Sequence, residues 1–147
     1  MKSVRSASAR KVAPGEASRF EPALHTQGEI EAAICQGINR LEQEYMGRGP
    51  KDIHAYLIGD FLVVRLQGVL TVAEQQLVKS LPADKGRALL KQVRGHLVET
   101  ARPILEVLIR DITGVRMISL HHDVSTATGE EVILFTLAQS PLYREAL

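Results

Sequence analysis

Two runs of alternating apolar side chains, Ile53–Ile58 and Phe61–Gln67, meet at the dipeptide Gly59-Asp60, and this constrains the chain more than any other feature. A period of two sends successive side chains to opposite faces of a strand. Glycine at the first position of a two-residue connection suits a type II′ turn, whose twist matches that of the flanking strands. The turn then fixes the register, with Leu57 opposite Leu62, Ala55 opposite Val64 and Ile53 opposite Leu66. These six side chains form one apolar face of a hairpin. The other face carries His54, Tyr56, Ile58, Phe61, Val63, Arg65 and Gln67, and its turn end is too apolar to be left simply wet.

Helical signals surround the hairpin. Thr26 and Glu29 form a T-x-x-E capping box, followed by Ile30, Ile34, Ile38, Leu41 and Tyr45 on one helical face. Gly47-Arg48-Gly49-Pro50 stops this helix near Met46, because glycine suits a left-handed cap and proline cannot continue the helix. A second box, Thr71 with Glu74, opens a short helix to about Leu81, with Pro82 and Gly86 expected to interrupt it. The longest periodic segment follows: Leu90, Val93, Leu97, Ala101, Ile104, Leu108 and Ile112. The stripe keeps its phase across Pro103, so one long helix kinked there is expected, closed by Gly114. Two further strands, about Val115–Val124 and Glu131–Ala138, flank a polar loop. The order αββααββ predicts an α+β two-layer sandwich, a four-stranded mainly antiparallel sheet with helices packed on it.

Residues 27–140 thus read as a single domain, with 141–147 as a short C-terminal tail. Residues 1–26 hold five cations against two carboxylates, four serines and no apolar period, and read as a flexible basic tail. The chain of 147 residues balances 18 Lys and Arg against 17 Asp and Glu. That balance, with three Tyr, three Phe and no Trp, argues against a nucleic-acid partner. No apolar run approaches the ~20 residues of a membrane span. A cytoplasmic location is expected.

The residues that could carry chemistry are few. In His121-His122-Asp123 the two histidines point to opposite sides of a strand and cannot share one metal. Cys35, the single cysteine, lies mid-helix, where a thiol is an apolar filler rather than a nucleophile. No nucleophile elbow or metal-ligand spacing occurs, so neither a catalytic residue nor a cofactor is expected. Basic residues offer a possible anion site: Arg48 and Lys51 around the Gly47–Lys51 turn, and Arg87, Lys91 and Arg94 along one ridge of the long helix. The second hairpin is expected to extend the apolar outer sheet face, so that Tyr56, Ile58, Phe61, Val63, Met117, Val132 and Leu134 form an interface, with a homodimer the expected assembly.

The ordered set Gly47-Arg48-Gly49-Pro50, Gly68-Val69-Leu70-Thr71-x-x-Glu74, Gly86-Arg87, Val93-Arg94 and Thr113-Gly114-Val115 resembles the small bacterial MpsC family over about residues 27–138. That family is named for a sodium-translocating, membrane-potential-generating system. The resemblance implies a non-enzymatic accessory or regulatory subunit beside a membrane transporter, and supplies no catalytic residue. An anion- or small-molecule-sensing domain is the alternative.

Overall fold

A computed structural model describes residues 24–145. Its elements are α1 (Gln27–Met46), β1 (Asp52–Ile58), β2 (Phe61–Gln67), α2 (Val72–Ser80), α3 (Ala83–Thr113), β3 (Met117–Val124) and β4 (Glu131–Leu137). This is the expected α+β order. The basic segment before residue 24 lies outside the described residues.

Both capping boxes form. Glu29 N donates to Thr26 Oγ1 at 3.1 Å while Thr26 N donates to Glu29 Oε1 at 2.8 Å, and Thr71 and Glu74 repeat the exchange. Thr26→Ala removes an acceptor from an otherwise unpaired helix amide and is expected to cost about 1 kcal/mol, read as a lower urea midpoint at unchanged slope. Gly47 and Gly114 close α1 and α3 at φ values of 83° and 77°, where a side chain would be strained. Pro82 stands at the N-cap of α3, and Gly86 lies inside that helix rather than ending α2. At Gly86 a Cβ would sit 3.2 Å from the Val78 backbone, so the glycine sets the close approach of α2 to α3. Pro103 is accommodated within one continuous helix.

The sheet order is β1-β2-β4-β3, with every neighbouring pair antiparallel. The first hairpin has the register its turn demands, Leu57 opposite Leu62 and Ala55 opposite Val64. The pairing carries rows of side chains across all four strands. On the inner face run Leu57, Leu62, Phe135 and Leu120, then Ala55, Val64, Ile133 and His122, then Ile53, Leu66, Glu131 and Val124. Ile30, Ile34 and Ile38 of α1, with Leu90, Ala101, Leu105 and Ile109 of α3, join that face in the buried core. At about 25 cal/mol per Å² of apolar surface, each of these Ile and Leu side chains contributes roughly 1.5–3 kcal/mol.

Residues 141–145, set apart in the sequence as a tail, lie against this body. Pro141 is buried, Tyr143 packs on the core, and Arg144 N donates to His25 O at 3.0 Å.

Candidate functional site

Two features stand out: an uncovered sheet face and a charged cluster inside the core. On the outer face the rows are Tyr56, Val63, Leu134 and His121; Ile58, Phe61, Thr136 and Ser119; and His54, Arg65, Val132 and Asp123. Tyr56 is 46% exposed, Ile58 64% and Phe61 36%, while Val63, Val132 and Leu134 are half-buried by their neighbours. The helices pack on the other side, so among the described residues no helix covers this face.

Six of the seven expected interface residues share it. Met117 does not. The register of β3 shifts between Met117 and Ser119, so strict alternation fails there. Met117 turns into the core opposite Leu137, and Ile118, half exposed, comes to the surface instead.

The five basic residues do not form one site. Arg94 is 2% exposed and sits inside the molecule, not on a solvated ridge. Helix α3 buries Leu90, Arg94, Val98, Ala101, Leu105 and Ile109, a stripe rotated from the expected one, and leaves Val93 and Ile104 43% and 47% exposed. Arg48 is a structural clamp: its Nη1 donates to Leu70 O at 2.8 Å and its Nη2 to Gly68 O at 3.1 Å, tying the Gly47–Pro50 turn to the β2–α2 connection. Lys51 lays its stem over Gly68 and shares with Arg48 an open cleft of about 310 Å³. Arg87 and Lys91 line a separate open cleft of about 370 Å³ against residues 123–127, where Lys91 Nζ already pairs with Asp123 Oδ1 at 2.8 Å. That pairing and the Val124 amide hold the Asp123 carboxyl below its ordinary range. His121 and Asp123 share the outer face and His122 points inward, as the alternation requires. Burial raises the Cys35 thiol, in keeping with a packing role.

The core cluster draws one residue from each of the three helices and from β3 and β4. Arg94 Nη1 lies 3.3 Å from Glu131 Oε1 of β4 and 3.9 Å from Glu42 Oε1 of α1. Its Nη2 donates to Val69 O at 2.9 Å. Its Nε lies 3.5 Å from Glu74 Oε2 of α2 but is aligned with no acceptor. Glu131 Oε2 is in contact with His122 Nε2. The Glu74 carboxylate therefore serves twice, as helix cap through Oε1 and as counter-charge through Oε2. Burial, and then the neighbouring Glu131, push the Glu42 carboxyl up to about 7.

A signal for this cluster existed in the sequence. Glu42 continues the four-residue step Ile30, Ile34, Ile38; Arg94 sits four after Leu90 and four before Val98; Glu131 alternates with Ile133, Phe135 and Leu137. Charges of opposite sign at core phases of separate elements mark an internal ion network.

The family model described as "Na+-translocating membrane potential-generating system (MpsC)" matches residues 26–139, the whole span from the cap of α1 to just past β4. The chain belongs to the MpsC family. A family relative, the uncharacterised protein YbcI of Bacillus subtilis (strain 168), is 37% identical over 112 residues, covering 76% of this chain and 88% of that protein. No solved structure matches. Among the described residues of this MpsC chain, no helix is long and apolar enough to cross a membrane, and no group of His, Cys, Asp and Glu side chains could hold a metal ion.

Proposed function

We propose that this chain is a non-enzymatic accessory or regulatory subunit on the cytoplasmic side of a cation-translocating system, working by protein–protein contact through its outer sheet face. Family membership supports an accessory role in the setting for which the family is named. The single observation behind the contact surface is the uncovered patch of Tyr56, Ile58 and Phe61 with Val63, Val132 and Leu134 packed between them. Aromatic anchors in an apolar centre are the residues from which stable interfaces draw most of their energy.

The occupant this reading favours is a second copy of the chain. Arg65, paired with Glu130, and Asp123, paired with Lys91, place both signs of charge in one row at the edge of the patch, which suits a two-fold contact of the face with itself. Light scattering on a sizing column tests this. The wild-type protein is expected as a dimer, and Phe61→Asp as a monomer with the parent's far-ultraviolet circular dichroism and a urea midpoint lowered only by the lost association. A monomeric wild-type protein that also recovers no membrane subunit in a pull-down would sink the reading.

A further inference from the structure

Glu42 is the carboxylate of the core cluster that Arg94 holds most loosely, at 3.9 Å against 3.3 Å for Glu131 and 3.5 Å for Glu74. Four groups face it: Arg94 from α3, Glu131 from β4, His122 from β3 and Glu74 from α2. One guanidinium serves three carboxylates, and its donors are already directed elsewhere, Nη1 toward Glu131 at 3.3 Å and Nη2 to the Val69 carbonyl. The nearest cationic atom to Glu42 is Arg94 Nη1 at 3.9 Å, beyond hydrogen-bonding distance. An ionised Glu42 would thus be a buried carboxylate beside two others, whereas a neutral carboxyl group brings no third negative charge to a space that Leu41, Leu97 and Val98 also line. The space beside it, about 20 Å³ between α1 and α3, has room for about one water molecule.

The two halves of α1 are held differently. The N-terminal half is tied to the sheet, with Gln27 Nε2 donating to Leu57 O at 2.8 Å and Leu57 N donating to Glu31 Oε2 at 2.8 Å. The C-terminal half rests on α3 through Leu41, Tyr45 and Glu42, around that same space. We propose that Glu42 is a proton-binding site that latches α1 onto α3: with the proton bound the C-terminal half of α1 closes on α3, and when the proton leaves, that half parts from α3 and water reaches the carboxylate.

Amide hydrogen exchange on the full chain, corrected for the intrinsic rate at each pH, tests the latch. If Glu42 becomes an ordinary solvated carboxyl in the open form, amides of residues 40–46 should exchange about tenfold faster at pH 8 than at pH 6. They should also exchange faster than those of β4, a central strand paired on both sides. In Glu42→Gln, which keeps the shape and cannot ionise, the rise should vanish, and Glu42→Leu serves if the glutamine variant does not fold. The proposal is overturned if the wild-type rates do not change with pH, if the neutral variant shows the same rise, or if residues 40–46 exchange no faster than β4.

Discussion

Arg94→Met is expected to lower folding stability by about 3–5 kcal/mol, the usual cost of removing one partner from a buried ion network. Methionine keeps most of the stem's apolar volume, so the loss comes from charge and not from a cavity. Glu131, Glu74 and Glu42 would lose their shared cation, and the Val69 carbonyl its donor. Urea denaturation reads the effect directly, since the midpoint falls in proportion at constant slope. Because Arg94 acts on several carboxylates at once, the effects should not add. At pH 8, where Glu42 is largely ionised, combining Arg94→Met with Glu42→Gln should cost less than the two single changes together, because the second removes a carboxylate that the first deprived of its cation. A loss below about 1 kcal/mol for Arg94→Met would show that the cluster is not the balance point of the core.

The second large effect is a stability that falls as pH rises. Glu42 has its folded value raised to about 7 from an ordinary 4.5. A group raised on folding contributes stability that is complete below its unfolded value and is lost as pH rises through its folded one. Over pH 5 to 8 the wild-type protein should therefore lose about 2–3 kcal/mol through this group. Glu42→Gln should flatten that part of the profile and be the more stable protein at pH 8. Asp123 and Glu29 are shifted the other way, so their contributions disappear only as pH falls through the lower carboxylate range, outside this window. Equal slopes for wild type and Glu42→Gln would refute the assignment.

The elements themselves were legible because their signals are local. The boxes at Thr26–Glu29 and Thr71–Glu74, the left-handed glycines at 47 and 114, and the two-residue turn at Gly59-Asp60 each act within a few residues of chain. The register of the first hairpin follows from its turn alone, and the alternation correctly sent His121 and His122 to opposite faces. Two readings failed where a local rule met a distant one. Strict alternation places Met117 on the outer face with His121, and the register shift between Met117 and Ser119 breaks that alternation. Helix α3 carries apolar residues on two neighbouring stripes, and no local rule chooses between them.

The amino-acid order by itself determined the secondary elements, their caps, the αββααββ succession and an outer hairpin face that stays apolar, because these depend on contacts only a few residues long. Tertiary structure alone decided that β4 inserts between β2 and β3, and that α3 turns Arg94 inward while leaving Val93 and Ile104 outside. The reason is the charge: Glu42, Glu74 and Glu131 lie far apart along the chain, and only the assembled core brings them to one point, where a buried guanidinium costs less than three unpaired carboxylates.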